Sequence, residues 1–246
     1  MTEYVSVDST FAFVDLSGFS ALTQMCGDDQ AANLADRLVV AAREALQPGV
    51  TVVKTMGDAV MLRAGEAEQM VATVLRLADR AADEDGFLAL RAGIHHGRAV
   101  HRDDDYFGHD VNVAARVTAL AGAGQALVTE QVRQVCAQLG IVADPLGARK
   151  FRNIETPVEV YAVPLAAARN PTDPVCRVSV NPGNAATYLR HADRDWWFCS
   201  PDCARRFAAA PAQYTGVEHR RARPAVPGPT MTHPGASSGT AHIDRP

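Results

Sequence analysis

The strongest constraint on this chain is a hydrophobic period that switches back and forth between residues 8 and 163. Short apolar runs suited to strands occur at Phe11–Asp15, Val50–Lys54, Ala59–Leu62, Leu88–His95, Ala126–Thr129 and Val158–Val163. Between them, Ala31, Leu34, Leu38, Ala42 and Ala45 recur at helical spacing, as do Met70, Val74, Leu77 and Ala81. Each helical segment therefore presents one apolar stripe, and the pattern predicts a mixed α/β or α+β domain with helices packed on one side of a sheet.

Length allows more than this domain. With 246 residues, 47% of them hydrophobic, the chain can bury a sizeable core and a second small one. The formal net charge of −4 supplies no broad basic surface, so neither nucleic acid nor an anionic membrane is an expected partner. No uncharged apolar run reaches the roughly 18 residues of a membrane span, and Met1-Thr2-Glu3-Tyr4 lacks the basic start of a secretory signal. A cytoplasmic protein without membrane insertion is expected. The five cysteines are odd in number and uneven in placement, which points to thiol or metal chemistry and away from a disulfide framework.

Beyond the first domain, residues 164–172 lack an apolar period and read as a linker. Both tryptophans, three cysteines and Phe198, Phe207 and Tyr214 then crowd into residues 173–214. So short a segment cannot stabilise itself by burial alone, so a metal or docking against the larger domain is expected. Residues 215–246 hold five prolines and four glycines and read as a disordered tail.

Three polar clusters stand out in the large domain. Asp15 closes an apolar strand just before Leu16-Ser17-Gly18 and a helix. Residues 50–62 read as a hairpin with a tight turn at Met56-Gly57, flanked by Lys54 and Asp58. If the first strand lies beside this hairpin, Asp15 and Asp58 approach each other, and two close carboxylates need a cation; magnesium or manganese suits such an oxygen-only site. Asp105-Tyr-Phe-Gly108-His-Asp-Val-Asn112-Val-Ala-Ala-Arg116 reads as a loop entering a helix, with Asn112 and Arg116 four residues apart on one face. An amide and a guanidinium there suit a sugar and a phosphoryl group. Taken singly these residues have ordinary explanations: a helix cap, a solvated strand end, a polar helix face.

Together and in this order, the F-x-D-x-x-G-F, K-x-x-G-D and D-x-x-G-x-x-V-N-x-A-A-R patterns over residues 8–163 resemble the catalytic domain of class III nucleotidyl cyclases. The resemblance implies an α+β, ferredoxin-like fold with an antiparallel-rich sheet and helices packed on it. It implies that Asp15 and Asp58, assisted by the Leu16 carbonyl, hold two Mg2+ or Mn2+ ions. It further implies that Lys54 and Asp105 read the purine and favour ATP, that Asn112 orients the ribose, and that Arg116 stabilises phosphoryl charge in forming cyclic AMP and pyrophosphate. In such proteins the site lies between two catalytic domains, so a homodimer is implied. The family's further triphosphate lysine has no clear match; Lys150 and Arg152 lie nearby. His95, His96, His101 and His109 read as structural or surface residues, and Arg98 takes no function. A cyclase-like dimer that binds nucleotide or partners without turnover is the alternative; a metal chaperone with a passive dimerisation domain is a third reading.

In the short segment, Cys176, Cys199 and Cys203 offer three soft ligands that select Zn2+ or Cu+ over magnesium. Asp173-Pro-Val-Cys176, Trp196-Trp-Phe198-Cys199-Ser-Pro-Asp-Cys203 and Phe207 resemble the YHS domain, a metal-associated module related to the TRASH family, with Arg177-Val178 where such modules often carry Gly-Met. A fourth ligand is not evident from the sequence; Asp173, Asp202, His191 and water are the candidates. The other reading is a small aromatic core in which the cysteines are simply buried.

Overall fold

Strand β1 (Val5–Leu16) organises the rest. Phe11 and Phe13 face one side of it and Ala12, Val14 and Leu16 the other, and all five are buried. A strand apolar on both faces belongs at the centre of a sheet covered on both sides. In the computed structural model, which describes residues 4–215, antiparallel neighbours flank it: β3 (Ala59–Ala64) on one side and β4 (Leu90–Arg102) on the other.

Outside β3 lies β2 (Val50–Met56). The turn expected at Met56-Gly57 falls one residue later. Met56 is the last paired residue, opposite Ala59, and Gly57-Asp58 makes the turn, with Gly57 at φ 61°. A glycine with positive φ at the first position of a two-residue loop matches the twist of a hairpin. On the far side of β4 the sheet continues through β6 (Gln125–Thr129), parallel to β4, then β8 (Val158–Pro164) and the edge strand β7 (Asp144–Arg149). Short β5 (Asp105–Phe107) pairs with the end of β4. The sheet is thus antiparallel-rich, as expected for the α+β class.

The helices divide between the two faces. Helices α1 (Phe19–Cys26), α2 (Asp28–Ala45), α3 (Ala67–Asp83) and α5 (Glu130–Gln138) cover the face of Ala12, Val14 and Leu16. The expected stripes of α2 and α3 are buried in that layer. Helix α4 (His109–Leu120) corrects the one-sided expectation. It lies on the opposite face, with Val111 and Ala114 against Phe11, Phe13 and Met61, and Val113 and Val117 against Leu127, Val160 and Ala162. Gly93 on β4 permits this approach, since a Cβ there would come within 2.3 Å of the Thr118 amide nitrogen.

After β8 the chain runs back across the first domain. The Leu165 amide donates to the Gly124 carbonyl and that of Arg169 to Ala82. Ser179 then exchanges backbone hydrogen bonds with Gly86 and Phe87, at 2.9 and 2.8 Å, and its hydroxyl donates to the Glu84 carbonyl. The segment that follows holds hairpin β9 (Thr187–His191) and β10 (Arg194–Phe198), helix α6 (Pro201–Ala209) and the short α7 (Pro211–Thr215). Phe207 is its centre, in ring contact with Trp196, Phe198, Tyr214 and His191. Val175, Cys176, Val178, Trp196, Phe198 and Phe207 belong to the same buried cluster as Leu22 and Leu34, so this small segment shares its core with the α1–α2 layer. The tail reading lies outside the described residues except for Thr215, which closes α7.

Candidate functional site

The end of β1 brings two carboxylates together. Asp15 pairs in register with Ala59, the residue after the hairpin turn, and the Leu16 amide donates to the Asp58 carbonyl at 3.2 Å. That bond ties the Leu16 backbone to the turn. Asp15 also faces Arg91 across β4, whose Nη2 donates to Asp15 Oδ2 at 2.6 Å. The other oxygen, Oδ1, is buried and has no hydrogen-bond partner, and neither does Arg91 Nε. Burial and then the charge of Asp15 push the Asp58 carboxyl above its ordinary range. A buried orphan oxygen beside a second carboxylate that resists ionisation is a donor set in need of a cation. Because every donor is oxygen, Asp15, Asp58 and the Leu16 carbonyl fit a hard divalent ion. Arg91 played no part in the sequence reading; only its cross-strand register with Asp15 reveals it.

A second pair forms on the side of the sheet that carries α4. Lys54 Nζ donates to Asp105 Oδ2 at 2.6 Å. Burial opposes ionisation of Asp105, but the Lys54 bond and the Tyr106 amide outweigh it and hold the carboxyl below its ordinary value. Tyr106 anchors β5 by packing its ring 5.5 Å from that of Phe11. Lys54 Nζ lies 5.8 Å from the Phe107 ring, and Phe107 and Met56 are both exposed. An ammonium donor and a carboxylate acceptor are thus presented side by side, next to apolar surface.

Asn112 and Arg116 lie one turn apart on α4, and both are exposed. The contacts among the described residues join Asp15 to Asp58 and Lys54 to Asp105, and link Asn112 and Arg116 to neither pair. Lys150 and Arg152 are also exposed. Three of the four histidines take structural contacts, and His109 is exposed. His95 bonds Thr129 and Asp110, His96 bonds Thr10, and His101 stacks on Tyr106. The Arg98 amide donates to Asp110.

The third cluster contains a residue that the sequence reading left aside. Cys26, at the end of α1, joins Cys176, Cys199 and Cys203, with all four sulfurs within 4.8 Å of one another. The separations are 3.4 Å for Cys176–Cys199 and 3.8 Å for Cys199–Cys203, and all four thiols are free. The expected alternatives for a fourth ligand are occupied otherwise. Asp173 is buried and accepts from the amides of Val175, Cys176 and Cys199; Asp202 pairs with Arg205; His191 packs against the edge of Phe207. Cys203 sits in the first turn of α6, where Ser200 caps its amide and Pro201 opens the helix.

Comparison with known proteins agrees with this layout. The adenylate and guanylate cyclase catalytic domain matches residues 3–163. A pH-sensitive adenylate cyclase of Mycobacterium tuberculosis is 38% identical over 164 residues, covering 65% of this chain and 41% of the relative. An adenylate cyclase of Streptomyces griseus is 33% identical over 117 residues, 47% of this chain and 29% of the relative. The chain therefore spans well under half the length of these curated relatives. Among solved structures, the adenylyl cyclase CyaB of P. aeruginosa superposes with a TM-score of 0.57 at 22% identity, over 68% of this chain and 98% of that one. An adenylate/guanylate cyclase/hydrolase of Silicibacter pomeroyi gives 0.58 at 25%, over 67% and 100%.

Proposed function

The chain belongs to the family of adenylate and guanylate cyclase catalytic domains, and from that premise we propose that it converts ATP to 3′,5′-cyclic AMP and pyrophosphate at sites shared between two copies of itself. The observation that carries this reading is the Asp15–Asp58 pair with its buried, unpartnered oxygen. Asp15, Asp58 and the Leu16 carbonyl would hold two Mg2+ or Mn2+ ions, which lower the pKa of a ribose 3′-hydroxyl and neutralise charge on the α-phosphate when bound.

The chain's own residues do the remaining work. Lys54 donates to adenine N1 and Asp105 accepts from the 6-amino group; guanine offers the opposite pattern at both edges, so the ion pair selects ATP. Its 2.6 Å bond holds donor and acceptor in place before a nucleotide arrives, which limits the side-chain ordering left to binding. Asn112 orients the ribose. Arg116 meets developing phosphoryl charge with a guanidinium that stays protonated. Both are exposed and make no contact with the acids of their own protomer, which supports a composite site in which α4 of one copy faces the acids of the other. A two-fold homodimer then carries two such sites.

Residues 8–163 form the catalytic domain in this reading, 164–172 the linker and 173–214 a YHS-like module whose cysteines take a thiophilic metal, with the activity in the cytoplasm. Among the described residues, no helix is long and apolar enough to cross a membrane. The test is product formation from ATP and from GTP by the purified chain with manganese, beside Asp58→Ala. Cyclic AMP from ATP, lost in the variant, is the expected result. A confirmed dimer that binds nucleotide and releases no product would favour the non-catalytic sensor.

A further inference from the structure

The four cysteines do not all belong to the small C-terminal segment. Cys26 comes from the first domain, at the last position of α1, and the other three come from the loops and helix that follow residue 172. We infer that Cys26 completes a four-thiolate zinc site that fastens the C-terminal module to helix α1.

Geometry carries the inference. Four sulfurs about 2.3 Å from a tetrahedral zinc lie about 3.8 Å from one another. The separations here are 3.4 and 3.8 Å for two pairs, with every pair within 4.8 Å, so the sulfurs already stand near the corners of such a tetrahedron. All four are free thiols, with no disulfide among them. A set of four thiolates is a ligand type and number that zinc takes in closed structural sites, whereas oxygen-seeking magnesium does not.

The surroundings are arranged for this. Asp173 clamps the two ligand loops by accepting from the amides beside Cys176 and Cys199. Cys203 lies in the first turn of α6, where the helix dipole favours a thiolate. On the other side, Arg206 donates to the Met25 sulfur, a second contact between α6 and the end of α1. Cys199 is half-buried and opens on a cleft of about 340 Å3 that also involves Leu22 and Leu34, which gives an ion a route in. The fastened element matters because α1 begins three residues after Leu16, and Ser17 is tied by backbone to Ala89. Zinc at one end of α1 therefore restrains the segment that leads to Asp15 at the other.

The test uses the full chain, reduced and loaded with zinc, then with cobalt as a spectroscopic stand-in. The expected result is one tightly held zinc per chain, four sulfurs in its first shell by X-ray absorption, and the visible bands of a tetrahedral tetrathiolate cobalt site. Cys26→Ser should leave three sulfurs, change the cobalt spectrum and weaken zinc binding by at least roughly 10–100-fold, the range lost even for outer-shell partners. Cys136→Ser, which alters a buried cysteine outside the cluster, should leave spectrum and affinity unchanged. Should Cys26→Ser fail to fold, the zinc shell of the unaltered chain and the alkylation rate of Cys26 with and without zinc decide instead. No stoichiometric zinc, a three-sulfur shell in the unaltered chain, or Cys26 alkylated equally fast with zinc present would each overturn the inference. None of these readouts depends on cyclase turnover.

Discussion

Replacing Arg91 by methionine should destabilise the protein far more in the absence of a divalent ion than in its presence. The guanidinium donates at 2.6 Å to a carboxylate only 16% exposed, while its own side chain is 32% exposed. A hydrogen bond between charged groups contributes about 1.5–3 kcal/mol. The bare Coulomb attraction at about 4 Å is on the order of 4 kcal/mol at an effective dielectric of about 20, before the cost of desolvation. With Arg91 partly solvated, about 2 kcal/mol is the expected loss. For a chain of this size that is a fall of about 4–8 °C in melting temperature. The variant leaves Asp15 partly buried beside Asp58 with no cation. A bound Mn2+ supplies that missing charge, so saturating Mn2+ should reduce the cost to less than half. Urea or thermal unfolding of both proteins, with chelator and with Mn2+, measures the difference. An equal cost in the two conditions would refute the reasoning, because it would mean that the ion does not meet the carboxylate Arg91 holds.

Two further predictions follow from single residues. Arg116 is exposed and has no partner among the described residues, so Arg116→Ala should leave the unfolding curve within about 0.5 kcal/mol of the parent. It should nonetheless lower kcat on the order of 10³-fold or more in steady-state assays with ATP and Mn2+, as loss of an arginine facing phosphoryl charge does. His95 gives a pH dependence. Burial lowers its pKa below 6.5, and the histidines at 96 and 109 add to this, while Asp110 opposes it. The folded protein therefore keeps His95 neutral in a range where the unfolded chain takes up a proton. Stability from this group is fully present above about pH 6.5 and is lost as pH falls from there to the lowered folded pKa, at no more than about 1.4 kcal/mol per pH unit. Unfolding free energies between pH 7 and 5 should fall less steeply for His95→Gln; an unchanged slope would remove His95 as the source.

What could be read from sequence was local and periodic. The stripes of α2 and α3 and the apolar runs of β1, β3 and β6 carry their own signature, because each buries one regular set of side chains. The acids and the Asn112–Arg116 spacing were visible as residue types at fixed offsets, and the pairing of Lys54 with Asp105 only through the family resemblance. Edge strand β7 was not, since Pro145 and Gly147 interrupt it and its side chains are largely exposed. Nor was the place of α4, because the two-faced burial of β1 demands cover on both sides without saying which helix provides it. Arg91 and Cys26 escaped for one shared reason. Each meets its partners through contacts distant in sequence, Arg91 through strand register and Cys26 through docking of the C-terminal segment, and no local spacing encodes either.

The central claim is a cyclase whose sites are assembled from two copies of this chain, and mixing two inactive variants tests it most directly. In that reading Asp58→Ala removes an acid assigned to the metal ions and Arg116→Ala the arginine assigned to the opposing copy, so each homodimer would lack the same half at both sites. In a mixed dimer, one site carries both defects and the other carries none. Unfolded or exchanged together in equal amounts, half of the dimers are mixed, and cyclic AMP formation from ATP should recover to about one quarter of the parent rate per chain. Mixed dimers verified by differential tags that stay inactive would contradict the account.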